Sequence, residues 1–392
     1  MEPTKSVSFV KSDASVLLDV VRGLAATLVV IDHWRNFMFF DYTQLTAHRA
    51  LFLLPYLLSS AGHQAVVIFF VLSGFLISGS VFRMLRKGSW SWASYLTHRL
   101  TRLWVVLVPG LLLCLLWDSV GVHSGIAPAL YAGNVGNHMQ VDVAPNLGAK
   151  TFVENLLFLQ GLVAHTFGSD GALWSLANEF WYYMLFPLGL LVFHRRSKLW
   201  ERAVSSVLFL LIAYFLRGSV LWMFPIWLAG TLLCVVPTLK VGRGVRIAAC
   251  AVYLPLLFFC ARQKVIHLTD MQNDYLLTVG TFLLLWILLS ATGEAKASVA
   301  HDAGRGLARF SYTLYVVHMP LLILMTALVA GDTRWAPTGI HIAEGLGVLA
   351  LVFAYAYGVA ALTEFKTDKW RRWVEKTLRI GPPDTSTVVT RT

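Results

Sequence analysis

Residues 16–38 read VLLDVVRGLAATLVVIDHWRNFM, and they decide the solvent in which this chain folds. A helix crosses the hydrocarbon core of a bilayer with about 20 mostly apolar residues, and this run is long enough. Yet it carries Asp19, Arg22, Asp32, His33 and Arg35. An Arg or Asp at the centre of a membrane helix costs roughly 2.5–3.5 kcal/mol on insertion scales, so such residues persist where they line a cavity or find a partner. On a helix Arg22 and His33 fall within about 20° of each other, separated by roughly 16 Å along the axis, so one face carries both. Each has a plain alternative: Arg22 snorkelling or pairing with Asp19, and His33 a satisfied interior histidine. Their coincidence on one face favours function. The same charges, and the lack of a small-residue cleavage site, make the run after Lys5 and Lys11 a retained first span rather than a signal peptide.

The rest of the chain repeats the pattern. Of its 392 residues 57% are hydrophobic and 14% charged, and its mean hydropathy is +0.65, far more apolar than a soluble domain. Apolar runs near 16–38, 63–83, 100–118, 173–193, 203–217, 219–237, 245–261, 274–291, 310–330 and 343–363 imply an all-α fold. The expectation is a polytopic integral membrane helix bundle with about ten transmembrane spans. Only Arg217 and Gly218 separate the fifth from the sixth, so a re-entrant pair is an alternative there. Residues 1–365 form one transmembrane domain and 366–392 a basic tail, whose polar end, PPDTSTVVTRT, is expected to be disordered.

Basic loops stay on the cytoplasmic side. Lys and Arg gather in the N-terminal segment, the 83–102, 195–202, 240–246 and 296–309 connections and the tail, which places both termini in the cytoplasm. Arg49, Lys150, Arg217, Arg262, Lys264 and Arg334 fall on the other side. Topology thus accounts for the net charge of +11, and no continuous basic stripe points to nucleic acid. Cys114, Cys234, Cys250 and Cys260 lie in or beside apolar runs and read as small hydrophobes. No metal is implied: His63, His123, His138 and His165 lie near or in external loops, where histidines are more often solvated than ligating. Residues 119–172 form a long external connection with an amphipathic piece at Phe152–Leu162, a candidate cover over an acceptor.

Further chemistry is carried by short runs. In YLTHRLTRLW, Arg99 and Arg102 share one helix face and can grip phosphates; the plain alternative is a positive-inside flank. In ALWSLANEFWYYMLFPL, Glu179 is a carboxylate in need of a partner. Beside His33 it would fix the imidazole tautomer; otherwise it bonds a neighbouring span. FFVLSGFLIS places Ser73 and Gly74 where small residues let helices approach. SYTLYVVHMPL sets Tyr312, Tyr315 and His318 on a polar stripe, with His318 either a ligand contact or a core histidine.

LDVVRGLAATLVVIDH, FFVLSGFLIS, HRLTRLW, WSLANEFWYY and SYTLYVVHMP occur in an order that resembles the acyltransferase-3 family of membrane acyltransferases, over nearly the whole chain. That family includes enzymes that O-acetylate lipopolysaccharide, exopolysaccharide and Nod-factor sugars. The resemblance implies that His33 is catalytic with Arg22 as its motif partner, that Arg99 and Arg102 serve acyl-CoA, and that Glu179 is the acidic residue needed for activity. Ser73, Tyr315 and His318 would support them. It implies acyl-CoA, by default acetyl-CoA, as donor co-substrate with no bound cofactor. The acceptor would be a glycan or lipid-linked glycan hydroxyl, and the location a bacterial cytoplasmic (inner) membrane. Some members add a span and a fused external hydrolase-like domain, both lacking here, so a stand-alone enzyme is expected. The rival reading is a proton-coupled secondary transporter or glycan-precursor exporter, since ionisable residues in spans also mark proton relays. No repeat between the two halves supports it, and a non-catalytic scaffold leaves the five runs unexplained.

Overall fold

A computed structural model of the protein describes residues 13–136, 141–195, 197–262, 268–291 and 299–380. Among these the regular structure is helical, and β-type pairing is confined to isolated bridges between Phe39 and Trp335 and between Gln160 and Ala164. The first span is α1, Asp13–Met38, followed by α2, Arg49–Leu58, and α3, Gly62–Lys87. α3 stops where Gly88 adopts φ 68°, which strains residues bearing a Cβ. There the Gly88 N–H donates to the Leu85 carbonyl at 3.1 Å and the Ser89 N–H to that of Met84 at 3.0 Å. α4, Trp92–Ser124, begins at Ser91, whose hydroxyl accepts the Ser94 N–H at 3.4 Å. Its 33 residues rise about 50 Å, so its far end stands clear of a hydrocarbon core of about 30 Å.

Beyond that end lie α5, Pro128–Tyr131, and α6, Ala149–Leu156. The amphipathic piece at Phe152–Leu162 stops being helical at Leu156, because Phe158 takes φ 59° and stacks its buried ring on Phe180, centroids 4.3 Å apart. Polar latches hold this segment down. Ser169 donates to Asp118 from its N–H at 2.7 Å and from its hydroxyl at 2.8 Å. The Asn155 amide donates to the Thr151 and His165 carbonyls at 2.8 and 2.9 Å, and its oxygen accepts the Phe167 N–H at 3.0 Å. Burial, reinforced by the nearby Asp118 carboxylate, pushes the Asp170 carboxyl well above its ordinary value.

There follow α7, Trp174–Phe193; α8, Leu199–Phe215; α9, Ser219–Leu232; and α10, Arg243–Cys260. The described helices close with α11, Asp270–Leu288; α12, Val299–Arg309; α13, Ser311–Ala330; α14, Gly339–Leu362; and α15, Thr367–Thr377. Every expected span coincides with a helix, but among the described residues 8 helical stretches are long and apolar enough to cross a membrane. α8 and α9, of 17 and 14 residues, fall short of that length because the chain breaks at Gly218, where φ is 95°. In the basic tail α15 packs on α4, with His98 Nε2 2.9 Å from Glu375. The polar run 382–392, Lys5, Lys11, His138 and Lys264 lie outside the described residues.

α3 and α13 form the buried centre. Apart from its polar stripe α13 is apolar, and it is buried along most of its length, which suits a helix enclosed by others. α3 crosses α9 so closely that a methyl at Gly74 would stand 1.9 Å from the Trp227 carbonyl oxygen, and one at Gly230 1.9 Å from that of Val71. Only glycine permits such an approach. At one end of the bundle the Arg334 guanidinium forks the Asp41 carboxylate at 3.1 and 3.3 Å, and the Trp335 N–H donates to the Met38 carbonyl at 2.7 Å. This clasp fixes the C-terminal end of α1 beside the end of α13, and so sets which residues of the two helices face each other.

Candidate active site

α1, α3, α4, α7 and α13 enclose a mostly apolar chamber of about 270 Å³. Beside it lies a polar vestibule of about 420 Å³ whose walls include His98, Arg309, Glu364 and Arg371. Arg22, Arg99, Arg102 and Tyr312 line both spaces.

The arginines are held but not fully satisfied. Arg22 donates through Nη2 to Asp19 at 3.1 Å and to the Ala308 carbonyl at 3.2 Å, so the plain Asp19 pairing coexists with a place on the cavity wall. Arg99 donates through Nη2 to the Ser80 hydroxyl at 2.9 Å, and its guanidinium lies 5.4 Å from the centre of the Tyr95 ring. The Nε–H of each is buried and meets no acceptor among the described residues. A buried donor without a partner is costly, and a charged one beside a cavity suits an anionic or carbonyl oxygen brought by a ligand. Arg102, one helical turn beyond Arg99, belongs to both walls.

Glu179 lines the chamber, where its Oε1 accepts hydrogen bonds from the Ser73 hydroxyl at 2.7 Å and from the Tyr183 hydroxyl. Ser73 in turn accepts the Trp227 indole N–H at 3.2 Å. The expected pairing of Glu179 with His33 is therefore corrected. Its Oε1 is engaged by its own helix and by α3, whereas His33 Nδ1 meets His318 of α13.

His33 Nδ1 lies 2.8 Å from His318 Nε2, with the rings nearly parallel at 9° and centroids 5.1 Å apart. His318 is fully buried, and its Nδ1 is 3.0 Å from the Leu314 carbonyl oxygen and 2.9 Å from that of Tyr315. Carbonyl oxygens only accept, so this network assigns the proton to His318 Nδ1. His318 Nε2 must then accept from His33 Nδ1–H, which makes Nε2 the basic nitrogen of His33. His318, a ring anchored to backbone carbonyls, thus stands beside His33 in the place the sequence reading gave to the Glu179 carboxylate.

The histidine pair does not line the chamber; Tyr315 stands between. The Tyr315 ring is 6.2 Å from that of His318, its hydroxyl donates to the Ala172 carbonyl at 2.8 Å, and it shares a hydrogen bond of 2.6 Å with Ser175. Arg22, Arg99, Arg102, Ser73, Glu179 and Tyr315 are thus brought to one cavity, with His33 and His318 behind its wall. Sequence reasoning missed Tyr183, Trp227 and Arg371. The first was readable, standing one turn past Glu179; the others come from distant helices with no local signal. His63, expected to be solvated, is 2.9 Å from Asp274 and stacks on Trp174 at 6.3 Å.

Many helices long and apolar enough to span a membrane, gathered around a cavity with unsatisfied arginine donors on its wall, define a multi-pass membrane protein with a polar site inside its bundle. A family model described as an acyltransferase domain matches residues 16–363, nearly the whole chain, and the protein belongs to this acyltransferase-3 family. An uncharacterized protein of Haemophilus influenzae is 28% identical over 158 residues, a match spanning 39% of this chain and 58% of that protein. No solved structure matches the chain.

Proposed function

We propose that this acyltransferase takes an acyl group, by default acetyl, from cytoplasmic acyl-CoA and transfers it to a hydroxyl of a cell-surface glycan, exopolysaccharide or lipid-linked glycan. The observation that carries the reading is the pair of buried, unpartnered Nε–H donors of Arg22 and Arg99 on a cavity wall shared with Arg102. Donor phosphates would sit among the vestibule arginines, and the pantetheine arm would carry the thioester into the apolar chamber. Charge bias supports both termini and this vestibule on the cytoplasmic side of a bacterial inner membrane.

In the transfer step His33 Nε2 takes the proton of the acceptor hydroxyl as that oxygen attacks the thioester carbonyl. The tetrahedral adduct collapses, the C–S bond breaks, and the leaving sulfur receives the proton from His33 to give free CoA. His318 holds the imidazole in the productive tautomer throughout. Tyr315 swings away from Ser175 to join the chamber to the histidine pair, and Glu179, tied to Ser73 and Tyr183, shapes the chamber wall. The chemistry calls for no resident cofactor or metal, because the thioester arrives activated.

The test is thiol release from acetyl-CoA by purified protein in nanodiscs, with a panel of glycans, comparing wild type with His33→Ala. The expected result is acceptor-dependent release that falls on the order of 10²–10⁴-fold in a correctly inserted variant. Full activity in the variant would remove His33 as the base. Glycan movement without thiol release would favour the proton-coupled transporter or exporter.

A further inference from the structure

A groove of about 620 Å³ lies on another flank of the bundle, apart from the chamber. It is bounded by the end of α3, the start of α4, the end of α7 and the start of α8, so its mouth lies at the end of the bundle where these four helices meet. Leu96, Leu188, Leu208 and Ile212 make its depth apolar. Along α8 it runs from Trp200 to Ile212, roughly 18 Å at 1.5 Å per residue, about the reach of one extended fatty-acyl chain.

Polar groups gather at the mouth. Trp90 lines it, and the indole N–H of Trp90 is buried and meets no acceptor among the described residues. His194 and Ser197 stand across from it. Lys87, Arg195 and Lys198 are chain neighbours of the lining residues Gly88, His194 and Ser197, and all three are exposed. Among the described residues the one lining carboxylate, Glu201, accepts the Lys198 backbone N–H at 2.7 Å. A hydrocarbon slot topped by an unfilled donor and a net positive rim complements one chemistry: a phosphate ester carrying a long acyl chain. We propose that this groove is a specific site for one anionic phospholipid of the adjoining leaflet, with a chain in the slot and its headgroup phosphate accepting the Trp90 indole N–H.

The experiment is native mass spectrometry of the full chain, released from detergent after equilibration with phosphatidylglycerol or phosphatidylcholine. One phosphatidylglycerol is expected to stay bound, with at least about tenfold weaker retention of phosphatidylcholine. Trp90→Phe keeps the ring and deletes the N–H; it should weaken phosphatidylglycerol binding about tenfold, as loss of one hydrogen bond to a charged group implies. Ser205→Trp should fill the slot and abolish retention. Should that variant fail to insert, Lys198→Gln reads the headgroup alone and should narrow the preference between the two lipids. Equal retention of both lipids by wild type, or binding unchanged by Trp90→Phe, would overturn the proposal.

Discussion

At the scale of single residues, the lone pair on His33 is set by backbone carbonyls one element away. The Leu314 and Tyr315 carbonyls fix the His318 proton, and His318 fixes that of His33. A ring that merely filled space could be exchanged for any group of similar volume. His318→Ala should instead lower kcat on the order of 10²-fold with little change in acceptor KM, whereas His318→Gln, whose amide oxygen can accept from His33 Nδ1–H, should recover most of that loss. Thiol-release kinetics at saturating donor would check both variants. Equal losses in both would leave His318 a packing residue. The sequence put His33 and Arg22 on one face of α1, and both do face the segment that runs from Ala308 to His318. It could not choose the partner of His33, because Glu179 and His318 are both ionisable and both sit inside spans. Rotation about each helix axis decides between them, and that depends on contacts such as Gly74 against Trp227 that leave no trace in local sequence.

At the scale of elements, the segment between α4 and α7 behaves as a latched cap. Asp170 is 1% exposed, and its raised pKa means that the fold prefers the neutral acid. The stability this contributes is fully present below the unfolded value of about 3.8 and is lost as pH rises through the folded value. Between those two values wild type should lose up to roughly 1.4 kcal/mol per pH unit, seen as a falling melting temperature. Asp170→Asn should flatten that slope and melt higher than wild type at the alkaline end; an unchanged slope would mean another group sets it. Such a cap was only partly legible. The length and the amphipathic piece marked residues 119–172 as more than a linker, but the bonds between Ser169 and Asp118 that tie the segment down join positions 51 residues apart in the chain. Hydropathy likewise located α8 and α9 and the break between them at Arg217 and Gly218, but it carried the sixth span on to residue 237, past the end of α9 at Leu232.

At the scale of the whole molecule, hydropathy and charge bias were enough to define a polytopic helical bundle, because lipid forces every backbone polar group into local hydrogen bonds. The cavity was not legible as a shape, although most of its polar walls were legible as residues. Its most telling feature is that Arg22, Arg99 and Arg102 crowd like charges around one space. In the language of linkage, that crowding is instability held ready for a polyanion. CoA alone, with neither an acyl group nor an acceptor, should therefore raise the melting temperature, by the equivalent of about 2.7 kcal/mol at a hundredfold excess over Kd. Arg102→Gln should melt higher than wild type without CoA and gain less when CoA is added, so that the protein least able to use its donor would be the hardiest in its absence.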